Sequence, residues 1–142
     1  MVSDDARTEA VDAAARLLRH GDRSRVELER RLAERGIDAE VAEEALDTLE
    51  RVGVLDDERT ASLRAAKLAD RGYGDQWIRG ELERRALPAE AALEALEPER
   101  DRAARLVERK GVGPAWLSRR GFDAEVVAGV AAAGPGAVRY EP

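Results

Sequence analysis

The chain of 142 residues contains no cysteine, a single histidine and a single methionine, and only 4% of it is aromatic. Without cysteine there are no disulfides and no thiolate metal sites, and one histidine cannot build a His-rich zinc centre. No cofactor is therefore expected. No run approaches the roughly 18 apolar residues that a membrane span needs, and the opening MVSDDARTEA lacks the basic and apolar regions of a signal peptide. A cytoplasmic protein, compatible with a reducing compartment, is the expectation. Nucleophilic catalysis finds no support either, because His20 belongs to no recognisable constellation of nucleophile, base and acid. His20 beside Gly21 reads instead as a helix end. The chain is expected not to be an enzyme.

What is present points to helices. Hydrophobic residues make up 44%, mostly Ala, Leu and Val, which suits helices packed closely through small side chains. The net charge of −6 argues against a protein that coats nucleic acid, but the charge is unevenly placed. Bases against acids run 10 to 17 over residues 1–59, 6 to 7 over 60–98 and 8 to 6 over 99–142.

The phrase ERGIDAE at 34–40 returns as RRALPAE at 84–90 and as RRGFDAE at 119–125. Each copy reads as a joint between two helices. Arg35 in a last turn favours the negative helix end, Gly36 takes the left-handed cap, Ile37 folds back and Asp38 caps the next helix. Arg120, Gly121, Phe122 and Asp123 repeat those roles, whereas Ala86 replaces the glycine in the middle copy and Pro88 suits an opening turn. Ser24 and Glu27 stand at capping-box spacing, and Asp75 is the matching cap before Ile78 and Leu82. Apolar stripes are expected at Val11, Ala14, Ala15 and Leu18, at Val41, Ala45, Leu49 and Val52, and at Ala61, Ala65 and Leu68. Further ones fall at Ala91, Ala95 and Leu96, at Ala103, Leu106 and Val107, and at Val126 and Val130.

These signals predict an all-α chain, an elongated array of three tandem three-helix repeats. The boundaries expected are 1–53, 54–97 and 98–134, with a flexible tail at 135–142 after Gly134, Pro135 and Gly136. Copies lie 50 and then 35 residues apart, so the third repeat is truncated, its middle helix squeezed into about PAWLSRR. KGVGPAWL at 110–117 resembles the hairpin of helix-hairpin-helix DNA-binding motifs, but the second half of that motif is missing and a helix break is the plainer reading.

The stretch Val52 to Pro88 resembles the RecX family of bacterial recombination regulators. That family has a Gly-Leu-Leu-Asp-Asp-Glu-Arg-Phe-Ala segment, a basic helix, then Gly-Tyr-Gly, Ile-Arg and Glu-Leu before a basic turn. The matching residues here are Gly53, Leu55, Asp56, Asp57, Glu58, Arg59, Ala61, Arg71, Gly72, Tyr73, Gly74, Ile78, Arg79, Glu81 and Leu82. Thr60 stands where the family usually has Phe. The resemblance extends over nearly the whole chain, through AARLLRHGDRSRVELERRLAERGI at the start and LSRRGFDAEVV near the end. It implies binding to the RecA recombinase, chiefly in the groove of its filament on single-stranded DNA, which lowers recombinase activity without catalysis.

The candidate contact residues are the bases Arg64, Lys67, Arg71, Arg79, Arg84 and Arg85 of the middle unit, with Arg119 and Arg120 beyond it. Asp56, Asp57 and Arg59 form either a recognition edge or a helix cap. Tyr73 and Trp77, four apart, either stack on a base or partner pocket or pack in the core, and Trp77 lies off the leucine stripe. A monomer is expected. Two other readings stay open, a helical module acting directly on nucleic acid and an interaction scaffold without the filament role.

Overall fold

A computed structural model describes residues 3–133, and every regular element among them is helical. In chain order these are α1 (Asp4–Arg19), α2 (Arg25–Glu34), α3 (Ala39–Arg51), α4 (Asp57–Asp70), α5 (Asp75–Arg84), α6 (Glu90–Glu94), α7 (Glu99–Lys110), α8 (Pro114–Arg119) and α9 (Ala124–Ala133). The all-α expectation holds. The tail expected at 135–142 lies outside the described residues. The short α8 occupies the segment whose compressed spacing predicted a small middle helix. The still shorter α6 was not foreseen: it ends before Ala95 and Leu96 of the expected stripe, ahead of Pro98, which cannot continue a helix. Contacts gather the chain into two compact units, one running to Thr60 with Arg84–Leu87, the other comprising Ala61–Glu83 and the residues from Pro88.

In the first unit Ala13, Ala14 and Leu17 of α1 close on Leu28 and Leu32 of α2 and on Ala42, Leu46 and Leu49 of α3, with Leu55 beneath. Each fully buried leucine contributes roughly 2–3 kcal/mol. The stripe of α1 is displaced by one position from that expected, whereas α3 keeps Ala45 and Leu49 as expected and takes Ala42 and Leu46 in place of Val41 and Val52. α1 buries Ala10, Ala13, Ala14 and Leu17, and α3 buries Ala42, Ala45, Leu46 and Leu49 while Val52 is left 64% exposed. Helices this rich in alanine present two neighbouring faces of similar hydrophobicity, so the contact, not the pattern, selects one. Local punctuation is as expected. Ser24 and Glu27 close a capping box, and Asp38 accepts from the Glu40 N–H. Gly36 takes φ +80°, and the Ile37 N–H returns to the Leu32 carbonyl at 3.1 Å. Arg25 of α2 ties this helix to α3 through Asp47 at 2.8 Å and through Glu50.

Thr60, 8% exposed, lines a cleft of about 330 Å³ together with Ala15, Leu18, Val54 and Leu55. A phenylalanine, the residue the resemblance carries at this position, would fill that space. Thr60→Phe is expected to raise stability by about 1 kcal/mol, seen as a higher midpoint in thermal unfolding followed by circular dichroism. A lowered midpoint would mean that the cleft cannot admit the ring.

In the second unit Ile78 and Leu82 of α5 are fully buried, and Ala61, Ala65 and Leu68 form the buried face of α4 as the spacing predicted. Ala103 and Ala104 of α7 pack with Leu117 of α8, Phe122, and Val127 and Val130 of α9. Trp116, Leu106 and Val126 flank this core half-buried.

Candidate partner-binding face

The turn between α4 and α5 is built on two glycines that the sequence places around Tyr73. Gly72 adopts φ +87°, which lets the Tyr73 N–H return to the Leu68 carbonyl at 3.1 Å. Gly74 has an ordinary conformation, and its lack of a side chain serves a different purpose. Its N–H donates to the Arg120 carbonyl at 2.8 Å, and the Gln76 N–H donates to the Gly121 carbonyl at 3.1 Å. The joint between α8 and α9 is thereby clasped, backbone to backbone, against the α4–α5 turn. A Cβ on Gly121 would stand 2.6 Å from the Trp77 Cβ and amide nitrogen.

Above the clasp the aromatic residues form a layered stack. Trp77 and Tyr73 lie parallel with centroids 4.8 Å apart and 14° between their planes. The Arg120 guanidinium sits 3.8 Å from the Tyr73 centroid on one side and 4.9 Å from that of Trp116 on the other. It also donates to the carbonyls of Gly72 and Arg71. Arg120 is therefore a structural cation whose replacement loses packing and hydrogen bonds together. Arg119, one residue earlier, is exposed and its side chain has no partner among the described residues. Trp77 closes the outer end of the stack and is 41% exposed.

The acidic residues mostly cap helices. Glu99 accepts from the Asp75 N–H at 2.6 Å and from the Asp123 N–H at 3.3 Å, serving the starts of α5 and α9 at once. Burial pushes its carboxyl above the usual carboxylate range. Asp75, expected to be the cap of α5, is instead its first residue, because Gly74 precedes it and Glu99 supplies the cap. In the first unit Asp57 plays the part of Glu99, accepting from the Arg25 N–H at 2.9 Å, and burial likewise raises its pKa. Asp56 accepts from the Arg59 N–H at 3.0 Å, and Arg59 folds back onto the Gly53 and Val54 carbonyls at 3.1 and 3.3 Å.

The remaining candidate bases divide by partner. Arg64 pairs with Glu81 at 3.1 Å, and Arg79 with Glu90. Arg85, within the first unit, lies 3.7 Å from Glu27, and Arg84 is exposed at the end of α5 and engaged. Lys67 on the last turn of α4 and Arg71 just past its end are exposed, and their side chains have no partner among the described residues. The sequence reading passed over Arg109 and Lys110, which end α7 and are equally exposed. Basic residues in a last turn look like ordinary complements to the helix dipole, and this hid them. With Arg105 and Leu106 they line one wall of a cleft of about 310 Å³ whose other wall is Ala66, Ala69 and Asp70 of α4. Free positive charge in this unit thus clusters where α4 and α7 end. Among the described residues no group of His, Cys, Asp or Glu could hold a metal, and no helix is long and apolar enough to cross a membrane.

Repeated three-helix units, shared caps and a face of unpaired cations define a helical-repeat protein whose exposed chemistry is charge. The chain belongs to the RecX family. Residues 10–49 match the family model described as RecX, first three-helix domain. The regulatory protein RecX of Xanthomonas oryzae pv. oryzae (strain MAFF 311018) is 36% identical over 129 residues, covering 80% of this chain and 81% of that protein. The regulatory proteins RecX of Stenotrophomonas maltophilia (strain R551-3) and Halorhodospira halophila (strain DSM 244 / SL1) are 36% and 35% identical. They cover 93% and 90% of this chain and 86% and 90% of their own lengths.

Proposed function

We propose that this protein is a cytoplasmic, non-enzymatic regulator that binds the RecA recombinase, chiefly its filament on single-stranded DNA, and lowers recombinase activity. Membership of the RecX family over most of the chain is the observation that carries this reading. The unpaired cations at the ends of α4 and α7 support it: two acidic elements of different kinds, protein carboxylate and DNA phosphate, meet along such a filament, and both reward exposed Lys and Arg. Trp77, exposed at the edge of a rigid stack, is suited to anchor in a partner pocket at little entropic cost. Arg79 and Arg120, committed to Glu90 and to the aromatic stack, leave the contact to Lys67 and Arg71.

DNA-dependent ATP hydrolysis by RecA, measured with increasing amounts of this protein, tests the reading. Inhibition is expected, and no effect at excess would reject it. Reversing Lys67 and Arg71 together to glutamate is expected to raise the half-inhibitory concentration about tenfold or more, the equivalent of roughly 1.4 kcal/mol, with circular dichroism unchanged. The free cluster also gives substance to a second reading, direct action on nucleic acid. Binding to bare single-stranded DNA that falls steeply with salt, with no effect on RecA, would favour it.

A further inference from the structure

The cleft of about 310 Å³ in the second unit has two unlike walls. On α7 a stripe at helical spacing, Arg102, Arg105, Leu106 and Arg109, borders it. On α4 the facing positions are Ala66 and Ala69, whose short side chains leave the space between the helices open. Leu96 and Leu106, both half-buried, join the two alanines as its apolar lining. Arg102 fixes one side of the cleft, because its guanidinium bonds the Glu97 carbonyl before α7 and the Tyr73 carbonyl after α4 at 2.9 and 3.0 Å. A partner therefore meets walls that are already formed, and binding costs little ordering.

The charges around the cleft differ in what they have left to offer. Arg102 is committed to those carbonyls and to Asp75, and Arg105 is paired with Glu97. Arg109 and Lys110 are exposed, and their side chains have no partner among the described residues. The same is true of Asp70 on the opposite wall. An occupant that suits this lining brings an apolar side chain to the alanines and leucines, carboxylates to Arg109 and Lys110, and a hydrogen-bond donor to Asp70. A sugar–phosphate strand answers only the second of these. It carries a negative charge at every unit and no donor in its DNA form, so it would run its phosphates past Asp70 and Glu97. A polypeptide answers all three, since it varies its side chains along its length and offers a backbone N–H at each residue.

We infer that the α4–α7 cleft docks an acidic protein segment through one large apolar side chain, with carboxylates of the segment on Arg109 and Lys110 and a backbone N–H on Asp70. The inference rests on the proposed function only for which protein supplies the segment. It gives the acidic contact at the end of α7 to protein carboxylate and not to DNA phosphate. Lys67 and Arg71 are not among the lining residues and stay free for the rest of the filament. Charge brings the segment to the cleft and the apolar side chain selects it, so an acidic sequence without such a side chain is a poor ligand.

Titrations of the isotope-labelled full chain, followed by nuclear magnetic resonance, test this with three probes of equal charge. Two are the end-capped peptides Glu-Glu-Phe-Leu-Glu-Glu and Glu-Glu-Ser-Ser-Glu-Glu, and the third is a thymidine oligonucleotide with four phosphates. The apolar peptide is expected to bind about tenfold or more tightly than either of the others, and to move the amide signals of Ala66, Ala69 and Leu106 most. Replacing Arg109 and Lys110 together by glutamine is expected to lower that affinity about fivefold or more. Both side chains are exposed, so the thermal midpoint of the variant should stay in place. Equal binding of the serine peptide or of the oligonucleotide, signals that move elsewhere, or a double variant that keeps the wild-type affinity would each overturn the inference. A double variant that loses the peptide yet inhibits RecA like the wild type would overturn RecA as the source of the segment. A wild type that binds the apolar peptide as expected but leaves RecA untouched would reject the proposed function while the assignment of the cleft stands.

Discussion

Gly74→Ala is expected to destabilise the second unit by about 3 kcal/mol or more. Its backbone conformation suits alanine, so the loss comes from contact alone. The added methyl would lie 2.5 Å from the Phe122 Cα and from the Gly121 carbonyl carbon. These are backbone atoms and cannot rotate aside. Relief requires the 120–123 joint to withdraw, which breaks the bonds from Gly74 and Gln76 at 2.8 and 3.1 Å and draws Arg120 away from Tyr73. Trp77 and Trp116 are the chain's two tryptophans and both belong to this unit, so urea unfolding followed by their fluorescence reports the unit directly. Gly113→Ala is the matched control. It occupies the same place in the next repeat with nothing within 4 Å, and is expected to change stability by no more than about 0.5 kcal/mol in dilute solution. Equal losses at the two positions would show that glycine is needed for the turn itself and not for the clasp.

The parts of this fold that were legible in the sequence are those decided within a few residues. The Ser24–Glu27 capping box, the left-handed Gly36 and Gly121 and the caps at Asp38 and Asp123 follow from local backbone chemistry, and all are present. Even Ala86, lacking the glycine of its sister joints, is held at φ 56°, because the repeat imposes the geometry. The stripe in α1 slipped by one residue, since alanine on neighbouring faces gives periodicity little to choose between, while α3 kept the expected Ala45 and Leu49 and turned Val52 outward. The clasp was not legible at all. Nothing around Gly74 says that a joint nearly fifty residues later in the chain (Phe122) will lie against it. For the same reason Arg119 and Arg120 looked alike, yet one is exposed and the other sits between two aromatic rings. For Trp77 the sequence left core packing and an exposed anchor both open, and its 41% exposure goes with its place off the leucine stripe.

This separation of roles bears on how a binding face can be held in place without being part of the core. Lys67 in the last turn of α4 and Arg71 directly after the helix are exposed, and the carbonyl of Arg71 accepts from Arg120. The backbone that carries Arg71 is thus fixed by the stack while its guanidinium stays free. A variant at Arg120 that weakened an effect on RecA would therefore act through position, and it would also lower the unfolding midpoint. Variants at Lys67 or Arg71 would leave the midpoint where it is, because exposed cations without partners contribute little to stability.

Arg102→Ala is expected to cost about 3 kcal/mol, and Arg102→Lys most of that. The ERDRAAR run that contains Arg102 looks like a solvated face, yet its side chain is only 7% exposed. The guanidinium is satisfied on all sides: Nε donates to the Glu97 carbonyl at 2.9 Å, one terminal nitrogen to the Tyr73 carbonyl at 3.0 Å, and the other to the Asp75 carboxylate. It lies 6.0 Å from the Phe122 ring centroid as well. One side chain thereby joins the turn before α5, the start of α5 and the segment before α7. Removing it leaves two carbonyls without donors in a site where water is largely shut out, and leaves Asp75, which is 35% exposed, to find solvent. The lysine variant keeps the charge but offers a single nitrogen in place of a planar fork, and so cannot reach three acceptors in their present arrangement. Arg105→Ala, three residues on, removes an exposed cation paired with Glu97 and should shift the fluorescence-detected midpoint little. If Arg102→Lys unfolded at the wild-type midpoint, the fork geometry would be irrelevant and Arg102 would matter only as a charge beside Asp75.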